Sequence, residues 1–293
     1  MIDQKIFISA LIISTLSLLV RVFLPQLKRR TIYLIHATIS IELIGMLFRT
    51  IISKRAPFAT MYETVIWCGL FALILSLIIS SQKKEDTLVY LGVFINSLAL
   101  ALAIFGSFNS ALQPLTPVLR SNFWLGTHVS MVILSYGCFA SAWIASNFLI
   151  ISSFVKKPKI ALFNFYILLS VRIGILLLTT GIILGAFWAD YSWGRFWGWD
   201  PKETWALITL FVYLIIVHSK NLRKAKDLKL ALCSSFAFLF VLMTWFGVNF
   251  ILGEGLHSYG KVEGGAVILS IIFIAQLLII ILGFSKNRSL PCL

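Results

Sequence analysis

Residues 188–205 read Trp-Ala-Asp-Tyr-Ser-Trp-Gly-Arg-Phe-Trp-Gly-Trp-Asp-Pro-Lys-Glu-Thr-Trp, and they hold five of the chain's nine tryptophans between two long apolar segments. Interfacial anchoring alone scatters tryptophans over many helix ends. Five in one connection make a platform of flat apolar faces and indole N–H donors, with Gly194 and Gly198 letting the backbone come close. Such a platform suits a large, flat, apolar ligand.

Four histidines could give that ligand a metal: His36, His128, His218 and His257. A lone histidine in an apolar span more often packs or hydrogen-bonds, yet ionisable groups inside a membrane are functional candidates by default. His128 and His257 fall on the same side as the tryptophan connection. His36 and His218 lie a few residues inside the other leaflet. One imidazole pair per leaflet fits axial ligation of heme iron, although neutral imidazole also takes zinc or copper. The absence of a Cys or carboxylate cluster disfavours a tetrahedral zinc site.

Asp200-Pro-Lys-Glu203 reads as a helix start: Asp as N-cap, Pro at the first helical position, and Glu at the third closing a capping box. Capping alone accounts for Asp200 and Glu203 but not for the tryptophans around them. Arg195 and Lys202 can pair with carboxylates of a porphyrin, or be solvated loop charges. Glu42 lies midway along an apolar run with Arg49 two turns on, so it is protonated, paired or facing a polar cavity. Arg21 and Arg172 are close enough to one membrane face to snorkel. Pro57 breaks the chain ahead of Tyr62, whose ring suits an interfacial anchor, and Pro114 and Pro117 stiffen an outer loop.

These residues need elements to hold them. The chain has 293 residues, 59% hydrophobic and 12% charged, with a mean hydropathy of +0.96. Soluble domains carry about a quarter charged residues, so the composition excludes one. Apolar runs long enough to span lie near 5–24, 32–52, 62–80, 88–107, 124–152, 161–188, 203–219, 230–251 and 265–284. The fold expected is an all-α integral membrane protein, a polytopic bundle of about nine (8–9) transmembrane helices with a Trp-rich extracytoplasmic loop. The connections alternate in charge: one set carries 15 Lys and Arg and the other 6. By the positive-inside rule the net charge of +14 is a topology signal, which puts the tryptophan connection outside and the C-terminus in the cytoplasm. The four cysteines form no CxxC, which argues against a dithiol relay or covalent heme on this chain. Cys292 makes no prenylation box, and the apolar N-terminus reads as a retained helix. The organisation expected is N-terminal helices over 1–60, a ligand-handling core over 61–284 containing segment 188–205, and a cytoplasmic tail over 285–293.

Trp193-Gly-x-x-Trp197-x-Trp199-Asp200-Pro-Lys-Glu-Thr-Trp205 resembles the WWD signature of heme-handling proteins in cytochrome c biogenesis. Pro57-Phe-x-x-Met-Tyr-Glu63, Pro117-Val-Leu-Arg-Ser-x-x-Trp-x-x-x-His128-Val-Ser, Gly247-Val-Asn-Phe and Gly255-Leu-His257-Ser-Tyr-Gly260 narrow the resemblance to the CcsA/ResC family. It runs from about residue 45 to 262. It implies that His128 and His257 ligate heme beside the WWD segment, where Trp193, Trp197, Trp199 and Asp200 form the binding surface. It further implies that His218, with His36 as its mate, holds heme on its way across. The cargo is heme b, and the partners are a ResB/Ccs1-type membrane protein and an apocytochrome c, whose CxxCH motif receives the heme. The chain then has no catalytic residues of its own and acts as part of a holocytochrome c synthase complex. Arg55-Ala-Pro stands where plastid members carry Gly-His-x-Pro, which favours a bacterial cytoplasmic membrane, loop to the periplasm or outside, over a thylakoid membrane, loop in the lumen. The alternatives weighed are a heme b or quinone-linked electron-transfer subunit and a secondary transporter. The transporter's inverted repeats are not evident in the sequence.

Overall fold

A bilayer interior offers no hydrogen bonds, so a chain crossing it must satisfy its backbone internally, and a helix is the simplest way. The computed structural model follows that rule. It describes residues 2–106, 108–112, 119, 121–155, 158–252 and 265–288, and among these no strand occurs. The long helices are α1 (Ile2–Phe23), α2 (Lys28–Ser53), α3 (Met61–Lys83), α4 (Asp86–Phe105), α5 (Asn122–Val155), α6 (Ile160–Trp193), α7 (Pro201–His218), α8 (Lys229–Leu242) and α9 (Gly265–Arg288). A wider π-helical stretch, Met243–Leu252, continues α8, and another, Leu125–Val129, lies inside α5. Among the described residues eight helices are long and apolar enough to cross a membrane, and α9 adds the shorter apolar stretch Ser270–Lys286. Each apolar run in the sequence has become one helix, so the protein is a multi-pass, all-α membrane protein.

The chain divides into two compact units, residues 1–137 and 138–293. In the first, α3 and α4 form a hairpin closed by two residues, Lys84 and Glu85. Lys84 is left-handed, its N–H bonds to Ser80 O, and Ser80 Oγ donates to Glu85 O. Small residues let the two helices touch. A Cβ on Gly69 would stand 2.5 Å from Ala99 Cβ, and one on Gly92 2.5 Å from Ser76 Cβ. Small residues at such crossings are the usual membrane solution, since lipid supplies no hydrophobic drive between helices. α1 joins α4 through Ser14 and Ser97, 2.7 Å apart. Glu42 and Arg49 do not pair: Asn96 Nδ2 on α4 donates to Glu42 Oε1 at 2.6 Å, and Arg49 turns elsewhere.

In the second unit the rings of Phe139 and Tyr213 stack at 3.8 Å and 7°. Gly174 leaves the room, since a Cβ there would lie 2.5 Å from the Phe139 ring. Gln276 of α9 bonds through both ends of its amide: its Oε1 accepts from Trp143 Nε1 and Asn147 Nδ2, and its Nε2 donates to Asn147 Oδ1. Ser235 of α8 donates to the same Asn147 oxygen. This network pins α9 to α5 and α8, and each bond is worth more because a loose partner would face hydrocarbon.

Candidate functional site

α6 is 34 residues long, about 51 Å at 1.5 Å per residue. That outruns a hydrocarbon core of about 30 Å, so its final turns, with Trp188 and Trp193, reach into or past the interface. Trp193 is therefore the last residue of a helix and not part of a loop. The helix stops at Gly194, left-handed at φ 70, whose N–H bonds to Asp190 O at 2.8 Å; glycine takes that conformation without strain. Only residues 194–200 separate α6 from α7.

The seven-residue turn is built on the start of α7. Asp200 caps it, Pro201 follows, and Glu203 closes the capping box, as the Asp-Pro-x-Glu pattern predicts. Asp200 is buried, and its Oδ1 accepts from Lys202 N–H at 2.9 Å. The Glu203 carboxylate also reaches back to Gly198 N–H at 2.8 Å. Trp197 and Trp199 meet edge to face, centroids 5.8 Å apart at 89°. They are two perpendicular walls rather than one floor. Trp199 is 71% exposed, and Phe196, against Phe187 at 5.7 Å, extends the apolar surface. The Arg195 guanidinium folds against Gly198, so close that a Cβ there would overlap it, and its Nη1 is buried without a hydrogen bond. Lys202 Nζ donates to Asn249 Oδ1 at 2.9 Å, so it is not a solvated loop charge. Asn249, on the π-helical stretch, thereby belongs to this site. Its place in the Gly247-Val-Asn-Phe motif was the available signal.

In the first unit His128 lies half-buried in the π-helical turn of α5. π-turns inside α-helices recur at functional sites because the extra residue re-aims side chains. Ser121 caps the helix, Leu125 is fully buried beneath the turn, and among the described residues nothing lies within 4 Å of where a Gly126 Cβ would stand. Asn122 ties this end of α5 to the α2–α3 connection, accepting from Ala56 N–H at 3.3 Å and donating to Lys54 O at 3.5 Å. That connection is organised by a buried ion cluster unanticipated from the sequence. Glu63 is fully buried and receives Arg49 Nε and Nη2 at 3.1 and 3.0 Å and Arg55 Nη1 and Nη2 at 2.9 and 3.1 Å. The amides of Ala59 and Thr60 add two more bonds. The Thr60-x-x-Glu63 spacing of a capping box was the available signal. Tyr62, expected at the interface, is buried under Arg49 and edge-on to Phe7, with centroids 5.9 Å apart.

His36 is exposed in the first third of α2, away from the Arg49 end. His218 is the last residue of α7 and exposed, about 27 Å along the helix from Asp200. Its Nδ1 lies 2.9 Å from Leu214 O. A carbonyl accepts only from Nδ1–H, so in the neutral ring the lone pair a metal would take is on Nε2. The structure brings together Trp197, Trp199 and Asp200, places His36, His128 and His218 as stated, and His257 lies outside the described residues.

Residues 58–257 match the family described as Cytochrome C assembly protein, from the α2–α3 connection through His257. The chain is 35% identical over 240 residues to Protein NrfI of Wolinella succinogenes, covering 76% of this chain and 25% of that protein. It is 35% identical over 259 residues to Cytochrome c biogenesis protein CcsA of Chlorella vulgaris, covering 73% of this chain and 81% of that one. With the CcsA protein of Capsella bursa-pastoris it shares 31% over 277 residues, covering 74% and 82%. The chain thus spans a quarter of NrfI and about four fifths of these two CcsA proteins.

Proposed function

The chain belongs to the cytochrome c assembly family, in its CcsA/ResC branch, and from that premise we propose that it binds heme b as cargo and presents it for covalent attachment to an apocytochrome c. The observation that carries the reading is the α6–α7 turn, where an exposed Trp199 stands at right angles to Trp197, with Arg195 and Lys202 before and after it in sequence. Perpendicular indoles offer a planar ligand one face and one edge. Trp193, Trp197 and Trp199 supply the apolar contact, while Asp200 holds the turn on α7.

Arg195 and Lys202 suit the two propionates: Arg195 has a buried donor to spare, and Lys202 is already steered by Asn249. His128 and His257 are the axial ligands at this outer site, and two imidazoles hold iron low-spin and tune its potential. His36 and His218 serve heme nearer the opposite face, His218 through Nε2. The client brings the nucleophiles. Each CxxCH thiol adds across a heme vinyl group: a C–S bond forms, the proton goes to the neighbouring vinyl carbon, and no electrons are gained or lost. This chain contributes orientation and exclusion of water. A ResB/Ccs1-type partner completes the complex in a bacterial cytoplasmic membrane, with the turn facing the periplasm or outside. The corresponding thylakoid arrangement has it facing the lumen.

The test is the reduced optical spectrum of the protein purified with its partner from heme-replete cells, beside His128→Ala and His257→Ala. A low-spin heme spectrum that weakens or shifts in both variants is expected. Heme indifferent to both changes, or none in the parent, would overturn the ligand assignment. Trp199→Ala separates this reading from an electron-transfer subunit: cytochrome c maturation should fail while complexes without c-type heme persist.

A further inference from the structure

We infer that Glu203 is a positioning residue that holds Trp199 in a left-handed backbone conformation and so aims its indole; the inference rests on the reading of Trp199 as a cargo contact. Among the described residues three that are not glycine have positive φ: Lys54, Lys84 and Trp199, at 52°, 56° and 56°. The two lysines are helix C-caps, where a left-handed residue is common. Trp199 ends no helix. It immediately precedes the N-cap of α7, where extended backbone is the rule, and a bulky aromatic rarely adopts this conformation unaided. Residues held so persist where the surroundings over-determine them, and they cluster at functional sites.

Beside the Arg195 and Trp197 packing, the hydrogen bonds around Trp199 converge on one oxygen. Glu203 Oε2 accepts from Gly198 N–H at 2.8 Å and from Asp200 N–H at 3.2 Å. A capping box needs only the second of these bonds. The first is additional, and it is the shorter. The two amides belong to the residues on either side of Trp199. For both to converge on one atom the residue between them must curl, which makes a backbone nest of the kind that binds anions; here the anion is the chain's own carboxylate. The curl leaves the indole 71% exposed and edge-on to Trp197.

Amide hydrogen exchange, read on the chain with its partner, tests the clamp without heme. Glu203→Gln keeps an acceptor oxygen and should keep Gly198 protected. Glu203→Asp keeps the charge at the helix start but is one methylene too short to reach Gly198, so protection there should be lost. Glu203→Ala should lose protection at Gly198 and Asp200 together. Heme titration then reads the consequence. Glu203→Asp should weaken binding about tenfold, the scale on which supporting residues act at metal sites, and Glu203→Gln should restore it. In a Trp199→Ala background Glu203→Asp should cause no further loss. Equal losses in both backgrounds, or Gly198 protection unchanged in Glu203→Asp, would overturn the inference. Trp199→Ala binding heme as the parent does would instead overturn the cargo contact, while the exchange data still decide on the clamp.

Discussion

Replacing Glu63 with alanine would leave two guanidinium groups facing each other in a buried space. Arg49 and Glu63 are fully buried and Arg55 is 7% exposed, so little water can compensate. Removing one member of a buried charge cluster costs about 3–5 kcal/mol, and loss of the capping box adds about 1 kcal/mol. At about 2–4 °C per kcal/mol for a chain of this size, Glu63→Ala should lower the midpoint of thermal unfolding by roughly 10–20 °C. Scanning fluorimetry in nanodiscs is the assay. The cause is two buried guanidinium groups that have lost their shared carboxylate, so removing one cation should help: Glu63→Ala/Arg55→Ala should melt above Glu63→Ala. A fall of less than about 3 °C for the single variant would refute the reasoning, as would a double variant whose loss equals the sum of the singles.

Two further outcomes follow from the packing. Gly69→Ala should push α3 from α4 and cost about 1–3 kcal/mol, seen as a lower melting midpoint, with Ala99→Gly in the same chain restoring most of it because Ala99 Cβ is the first atom met. Gln276→Leu should cost about 2–3 kcal/mol by stranding Trp143 Nε1 and Asn147 Nδ2, and should release α9 to limited proteolysis before the rest of the chain.

The helices were legible because a bilayer makes span length a physical constraint, and each apolar run obeyed it. The Asp200–Glu203 cap was legible because its bonds close within four residues. Reading along one helix failed where partners lie on another. It left open whether Glu42 is protonated, paired or facing a polar cavity, with Arg49 seven residues on; the partners are Glu63 on α3 for Arg49 and Asn96 on α4 for Glu42. The end of α6 was drawn short because Asp190, Tyr191 and Ser192 look like loop; a helix outside hydrocarbon tolerates them until Gly194 stops it. The π-helical turns left no mark in composition, since they differ from α-helix only in which carbonyl each amide selects. The perpendicular indoles were equally hidden, because spacing counts tryptophans but does not orient them.

The Arg49–Glu63 pair also imposes an order on membrane insertion. The two residues are 14 apart, and a ribosome adding about 5–20 residues per second leaves Arg49 without its counter-charge for roughly one to three seconds. During that interval α2 carries an uncompensated cation, which resists burial in lipid. Release of α2 from the translocon before α3 has begun to emerge is therefore unfavourable, and the two helices leave together as a hairpin, their charges neutralised as they meet.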